Sequence, residues 1–199
     1  MPEPSHGFGT RAIHAGHSPD KETHARAVPI YQTSSYVFDN TQHAADLFGL
    51  RQFGNIYSRI MNPTNDALEQ RIAALEGGVG ALAVASGQAA ETLALLTLAQ
   101  SGDHIVASTD LYGGTVSLFS HTFGKLGIGV TFVPPNDARA WENAVTERTR
   151  AFFVETIGNP KLDIIDLEAI AAVGRRHGIP LVVDNTVTTP FLNRPIEHG

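Results

Sequence analysis

The stretch Leu181-Val182-Val183-Asp184-Asn185-Thr186 decides the fold, because its apolar run stops abruptly at a carboxylate. Pro180 introduces the run, and small polar residues follow the acid. In an α/β protein this pattern is typical of a buried strand that opens into a ligand crevice. We therefore predict that Asp184 lies at the mouth of a pocket.

Upstream of this stretch, apolar runs alternate with helical patterns. The runs predicted as strands are 79–85, 104–108, 129–133, 150–156 and 181–184. Repeated β-α units with nearly continuous apolar strands indicate an α/β fold whose sheet is doubly wound and mostly parallel.

The chain before residue 63 carries little periodicity, apart from a short helix over 41–50 that Thr41 is predicted to cap. We predict that 1–62 is an N-terminal arm packing on another body, a second subunit being the natural candidate. Residues 63–199 form the predicted large domain. It begins with an amphipathic helix that presents Leu68, Ile72 and Leu75 on one face.

Composition excludes several classes of protein. The 199 residues carry a net charge of −6, which gives no basic surface for nucleic acid or an anionic membrane. There is no cysteine and no apolar run of membrane-spanning length, so we expect a cytoplasmic protein without a disulfide framework. His14 and His17 are the closest histidine pair but have no third ligand nearby, so we predict no metal site.

Polar residues follow the predicted strands, where a doubly wound sheet binds its ligands. In chain order the residues that follow these strands are Ser86, Gly87, Gln88, Asp110, Tyr112, Asn159, Pro160, Asp184 and Thr186. A helix start, an aromatic ring, an amide and a carboxylate together suit a planar heterocycle with an anionic group and a cationic nitrogen. Taken singly, 86–88 is equally well a tight turn, Tyr112 a half-buried aromatic, and Asn159-Pro160 a turn. No glycine fingerprint for a dinucleotide occurs at 86–88.

Six motifs then appear in the order found in a known enzyme family: YSRIMNPT (57–64), ALEGG (74–78), SGQAAE (86–91), DLYGGT (110–115), ET-x-GNP (155–160) and VVDNT (182–186). In these motifs the chain resembles the Cys/Met-metabolism enzymes that use pyridoxal phosphate, within the aspartate-aminotransferase-like fold type I. Further stretches at 14–20, 29–49, 53–64 and 191–199 are similar to the branch that acts on O-acetylhomoserine.

The resemblance implies a role for each matching residue. Ser86, Gly87 and Gln88 would hold the cofactor phosphate at the helix start. Tyr112 would stack on the ring and move protons, and Asp184 would pair with the ring nitrogen, which makes these two the catalytic candidates.

Four further cofactor contacts follow from the same resemblance. Asn159 would contact the ring hydroxyl, and Thr186 would line the ring face opposite Tyr112. Tyr57 and Arg59 would reach the phosphate of a neighbouring subunit, where a guanidinium binds phosphate through two hydrogen bonds.

The implied reaction is γ-replacement on O-acetylhomoserine, in which sulfide or a thiol displaces acetate to give homocysteine or methionine. The implied partners are an amino-acid substrate, a sulfide or thiol donor, and further copies of the chain in a homotetramer built from dimers. Three alternatives stay open: γ- or β-elimination on cystathionine or methionine, a catalytically inactive fragment, and a nicotinamide dehydrogenase with Asp184 on a ribose.

The family's Schiff-base lysine is expected in a Ser-x-Thr-Lys context beyond Gly199. Lys21, Lys125 and Lys161, the lysines of this chain, do not match that context. The sequence therefore predicts an incomplete large domain without the lysine segment or the C-terminal domain. On its own, this polypeptide is expected to be inactive.

Overall fold

The computed structural model describes residues 6–199, so the first five residues of the predicted arm lie outside it. The chain divides into two compact units, one ending at Ala83 and the other spanning Val84–Gly199. Within the described residues, no helix combines the length and the apolar character needed to cross a bilayer.

The first unit contains three helices: α1 (Phe8–His14), α2 (Thr41–Phe48) and α3 (Pro63–Glu76). The predicted helix at 41–50 is confirmed, but its N-cap is Asn40 and not Thr41. Asn40 has extended backbone and accepts a hydrogen bond from the N–H of His43, whereas Thr41 is already helical. An N-cap residue must lie outside the helical conformation for its side chain to reach the first free N–H groups.

The predicted apolar face of α3 is wrong in two of its three positions. Leu68 and Ile72 are 53% and 40% exposed, and only Leu75 is buried. The segment after α1 packs on a different side of the helix, where the Arg71 side chain donates to the carbonyl of Ala15 at 2.8 Å. The segment after α1 thus covers a side of α3 that helical periodicity alone does not reveal.

The second unit is built on a sheet of four parallel strands, in the order β2-β1-β3-β4. The strands are β1 (His104–Ser108), β2 (Gly129–Val133), β3 (Thr149–Glu155) and β4 (Leu181–Asp184). The helices are α4 (Gly87–Leu98), α5 (Gly113–Ser117), α6 (Ala138–Ala144), α7 (Leu167–His177) and α8 (Thr189–Leu192). A π-helix (Leu118–Phe123) continues α5, and a 3₁₀ turn (Pro195–His198) follows α8.

The strand predicted at 79–85 is wrong. No strand forms there within the described residues, and the run is largely solvent-exposed. Val79 is fully exposed and Leu82 is 71% exposed. An apolar run becomes a strand only when a neighbouring strand completes its hydrogen bonds, and none pairs with it here.

Helices cover both faces of the sheet, as expected for a doubly wound fold. On one face, Phe153 of β3 packs edge-on against Phe119 of the π-helix, with ring centroids 5.0 Å apart. On the other face, Phe152 meets Trp141 of α6 at 5.2 Å, and α7 adds Ile170 to the same cluster. Adjacent residues of β3 thus enter opposite cores, because side chains alternate along a strand.

The ends of α6 and α7 are capped by residues of the usual types. The side chain of Asp137 caps α6, and that of Asp166 caps α7. At the other end of α7, Gly178 adopts the left-handed conformation (φ 66°) that ends the helix. These caps fix where α6 and α7 begin, on the face of the sheet that carries Phe152.

Gly174 allows the closest approach between α7 and the chain that follows it. A Cβ at this position would lie 2.5 Å from the carbonyl oxygen of Ile179. We predict that Gly174→Ala lowers the free energy of unfolding by roughly 1–3 kcal/mol through overpacking. Gly124→Ala is the matched control, because Gly124 has helical backbone (φ −58°) and open space around its Cβ. That change should stabilise by up to about 1 kcal/mol. Denaturant unfolding tests both, and equal effects would contradict the packing argument.

Candidate functional site

The strand order places a crevice at the carboxyl ends of the strands. From β1 the chain passes to β2 on one side, and β3 then lies on the other side of β1. Such a reversal opens the space between neighbouring loops, which is where doubly wound sheets bind ligands. A cavity of about 380 Å³ lies here. It is lined by seven of the residues predicted to follow the strands: Ser86, Gly87, Gln88, Tyr112, Asn159, Asp184 and Thr186. Asp110 and Pro160 are not among the lining residues.

The start of α4 forms one wall of this cavity. Ser86 caps the helix, since its side chain accepts from the N–H of Ala89 at 3.1 Å. The N–H groups of Gly87 and Gln88 donate to no partner within the part of the chain described, as expected for the first turn of a helix. Nothing lies within 4 Å of the Cβ position of Gly87, so a ligand can approach its backbone closely. This wall is therefore suited to an anion such as phosphate.

Two carboxylates lie side by side where β3 and β4 end at the cavity. Glu155 ends β3 and Asp184 ends β4, and the two residues pair in the parallel register of these strands. Thr186 orients Asp184, because its N–H and its hydroxyl both donate to Oδ1 of the acid, at 2.9 and 2.5 Å. The sheet register thus brings two acids together where one was predicted.

Glu155 also positions the loop that carries Tyr112. The backbone N–H of Tyr112 donates to Oε1 of Glu155 at 2.6 Å. Burial raises the pKa of Glu155, and the neighbouring Asp184 carboxylate adds to the rise, while the Tyr112 N–H opposes it. Tyr112 itself is half-exposed and lines the cavity.

A third acid, Glu91, lines the cavity from α4. It accepts hydrogen bonds from the Gln88 amide at 3.0 Å and the Thr115 hydroxyl at 3.0 Å. Burial raises the pKa of Glu91 to about 7, and the charges of Asp184 and Glu155 add to the effect. The lining residues include no lysine, arginine or histidine, so these carboxylates have no cationic side chain beside them in the cavity.

An ion pair fixes the loop that carries Asn159. Lys161 Nζ lies 2.7 Å from Oδ1 of Asp110, whose side chain is 3% exposed. The hydrogen bond and charge of Lys161 hold the pKa of Asp110 below its ordinary value. Asp110 precedes Tyr112 and Lys161 follows Asn159, so this ion pair joins the two loops that bear those residues.

The remaining predicted residues, Tyr57 and Arg59, are not among those lining the cavity. They belong to the first unit, where Tyr57 forms an isolated bridge with Ser35. The guanidinium carbon of Arg59 lies 5.4 Å from the centroid of the Tyr57 ring. The two side chains thus form a cation–π pair within that unit.

Four lining residues were missed by the sequence reasoning: Glu91, Glu155, Ile157 and Val187. A signal existed for Glu155, because it ends an apolar strand in the same way as Asp184. For Glu91 the signal is weaker: it follows Gln88 by three residues and so lies on the same side of α4. Nothing in the sequence marks Ile157 or Val187.

The arrangement defines the chemistry of a suitable ligand. Free N–H groups favour an anionic end, and the carboxylates favour a cationic one. An aromatic wall at Tyr112 favours a flat ring between them. These features fit pyridoxal phosphate, whose phosphate would lie at Gly87 and Gln88 and whose ring nitrogen would lie at Asp184.

Known proteins are similar to this chain in sequence and in fold. The chain is 57% identical over 190 residues to the O-acetyl-L-homoserine sulfhydrylase of Leptospira meyeri, covering 96% of the chain and 43% of that protein. A Campylobacter jejuni structure named as an O-acetylhomoserine (thiol)-lyase, with a pyridoxyl-lysine monophosphate at its position 205, matches with a TM-score of 0.95 and 42% identity. A cystathionine γ-lyase from Lactobacillus plantarum, complexed with L-serine, matches with a TM-score of 0.88 and 37% identity.

The two structures each match over 98% of this chain and 48% of their own length. The chain therefore spans about half the length of the relatives it matches. The fold is that of the pyridoxal-phosphate enzymes of fold type I, as predicted. The family model for Cys/Met metabolism enzymes matches residues 9–199, nearly the entire chain. The chain belongs to the Cys/Met metabolism PLP-dependent enzyme family, whose cofactor is pyridoxal phosphate.

Proposed function

We propose that the whole protein is a transferase that replaces the acetate of O-acetylhomoserine with sulfide or a thiol. Sulfide would give homocysteine and acetate, and methanethiol would give methionine and acetate. The observation that carries this proposal is the cavity lined by both the start of α4 and Asp184, in a chain 57% identical to a sulfhydrylase. When bound, pyridoxal phosphate supplies an electron-withdrawing ring that stabilises negative charge on the substrate carbon.

Asp184 would keep the ring nitrogen protonated. A carboxylate near a ring nitrogen favours the charged form of that nitrogen, which strengthens electron withdrawal. Thr186 supports this role by fixing Oδ1 with two hydrogen bonds. Its own side chain would line one face of the ring.

Tyr112 would stack on the other face and move protons through its hydroxyl. Its backbone is anchored by Glu155, so the ring position depends on a group that need not touch the cofactor. Asn159 would donate its amide to the ring hydroxyl oxygen. The Asp110–Lys161 ion pair supports both residues by joining their loops.

Tyr57 and Arg59 would bind the phosphate from a second copy of the chain, with residues 1–62 acting as the arm that reaches across. This assignment implies a homo-oligomer, and a tetramer built from dimers is the form we propose. The charge and planar donors of Arg59 suit a phosphate, and its contact with Tyr57 keeps the two side chains together.

Lys21, Lys125 and Lys161 would not bind the cofactor covalently. None of them lines the cavity, and Lys161 already pairs with Asp110. We therefore propose that a polypeptide limited to these 199 residues is catalytically inactive.

A second candidate is elimination on cystathionine or methionine within the same family. The similarity to a cystathionine γ-lyase at a TM-score of 0.88 favours it as the alternative. Both candidates use the same cofactor cavity, so substrate preference must separate them.

The first prediction concerns the charge of Asp184. Asp184→Asn keeps the size of the side chain but removes the carboxylate, and should weaken cofactor binding by roughly tenfold or more. Asp137→Asn is the control, since Asp137 caps α6 outside the cavity and asparagine caps equally well. Titration of the whole apo-protein with pyridoxal phosphate, followed by absorbance, measures both. Equal affinity in the two variants would contradict the role of Asp184.

The second prediction concerns the lysines. Borohydride reduction of the whole protein loaded with pyridoxal phosphate should leave Lys21, Lys125 and Lys161 unmodified. Peptide mass spectrometry locates the pyridoxyl group. A stoichiometric adduct on any of the three would overturn the proposal that the covalent lysine lies elsewhere.

The third prediction concerns the substrate. With O-acetylhomoserine and sulfide, the whole protein should form homocysteine with a kcat/KM roughly 100-fold above that for cystathionine cleavage. Parallel assays at equal enzyme concentration, with the products quantified, measure kcat/KM for both reactions. The reverse ratio would favour the lyase alternative.

A further inference from the structure

The cavity contains one carboxyl that the proposed function leaves unused. Glu91 is only 8% exposed, although it is an acid on a helix at a ligand pocket. Its partner Thr115, in α5, is fully buried. A buried acid is costly unless hydrogen bonds or a charge compensate it, so its presence here calls for a role.

Hydrogen bonds of Glu91 join α4, which lines the cavity, to α5, which begins directly after the lining residue Tyr112. Oε2 accepts from the side-chain amide of Gln88 at 3.0 Å, at the start of α4. Both carboxyl oxygens lie 3.0 Å from Oγ1 of Thr115, in the first turn of α5. Gln88 Nε2 also lies 3.2 Å from the same hydroxyl, which closes a triangle of three side chains, of which Glu91 and Thr115 are buried and Gln88 is partly exposed.

This triangle accommodates Glu91 in either protonation state. An ionised Glu91 accepts from the Thr115 hydroxyl, whereas a neutral Glu91 donates to it after the hydroxyl rotates. In both states the Gln88 amide can donate to Glu91 and to Thr115. The contact between α4 and α5 therefore does not require a charge on Glu91.

The surroundings of Glu91 favour its neutral form. The titratable side chains that line the cavity with it are Tyr112 before α5, Glu155 at the end of β3 and Asp184 at the end of β4. The two acids carry the same sign of charge as an ionised Glu91 and oppose its ionisation. A single cationic ring nitrogen can neutralise one acid of the three.

We propose that Glu91 is a positioning residue: as a neutral acid it ties the start of α4 to the start of α5, and leaves Asp184 to meet the cofactor's charge. The inference deepens the proposed function and rests on it for the identity of the cofactor. Gln88 contributes to the phosphate side of the cavity, and Tyr112 immediately precedes α5. The triangle therefore sets the distance between the phosphate wall and the aromatic wall.

Substitutions at Glu91 separate hydrogen bonding from charge. Glu91→Gln keeps an acceptor for Gln88 and Thr115 without a charge, and should retain cofactor affinity within about twofold of wild type at pH about 6. Glu91→Leu removes both hydrogen bonds and should weaken affinity by roughly tenfold. Thr115→Val cuts the same triangle without altering Glu91, and should weaken affinity by roughly threefold to tenfold. Pyridoxal phosphate titrations of the whole apo-protein provide these values.

Two outcomes would overturn the proposal. If Glu91→Gln weakens binding as much as Glu91→Leu, the charge of Glu91 matters and not its geometry. If neither Glu91→Leu nor Thr115→Val weakens binding in folded protein, the triangle positions nothing. An unchanged affinity in Asp184→Asn would instead count against the proposed cofactor role of Asp184, which keeps the two failures distinct.

A pH profile tests the neutral state independently of the cofactor. The folded-state pKa of Glu91 is raised from 4.5 to about 7, so its carboxyl destabilises the fold progressively as pH rises across that interval. Glu91→Gln should therefore match the wild-type Tm near pH 5 and exceed it increasingly up to about pH 8. Glu147→Gln, an exposed change outside the cavity, should show no such trend. A Tm difference independent of pH for Glu91→Gln would overturn the neutral assignment.

Discussion

The pairing of Glu155 with Asp184 at the ends of β3 and β4 is the constraint on which the rest of the cavity depends. The parallel register places both side chains on the same face of the sheet, at the edge where the apolar strands stop. Burial and mutual repulsion make two such acids unfavourable without compensation, and the raised pKa of Glu155 expresses that cost. The sheet therefore places negative charge in an unfavourable environment, and hydrogen-bond donors or a cationic ligand can stabilise that charge.

Each acid of the cavity is held by a donor from a different part of the unit. The N–H of Tyr112 holds Glu155, Thr186 holds Asp184, and Thr115 holds Glu91. The segments around the cavity are thus held by hydrogen bonds to carboxyl groups as well as by the packing of the two apolar cores. These hydrogen bonds help to hold the loops around the cavity in place, because each carboxyl group accepts from a backbone N–H or from a side chain of a neighbouring segment.

Much of the second unit could be predicted from sequence, because its strands are apolar runs that end in polar loops. The four strands of the sheet were found in this way. The run at 79–85 looked equivalent, yet Val79 and Leu82 are exposed, because apolar character does not specify a pairing partner. Similarly, Asp184 was found because it interrupts an apolar stretch. Glu91 was not, because a glutamate in a helix is ordinarily solvent-exposed and only tertiary packing buries it.

The contrast between Asp110 and the cavity acids indicates that the charge pattern belongs to the site and is not a general property of this edge of the sheet. Asp110 is as deeply buried as Glu91 and Glu155, but Lys161 neutralises it and its pKa is lowered. Glu91 and Glu155 have only neutral donors, and their pKa values are raised. Since Lys161 is largely exposed, the ion pair adds little stability by itself, yet it compensates the charge of Asp110, which lies outside the cavity lining. The carboxyl groups without a cationic side chain beside them, those of Glu91, Glu155 and Asp184, therefore lie together where a cationic ring nitrogen would bind.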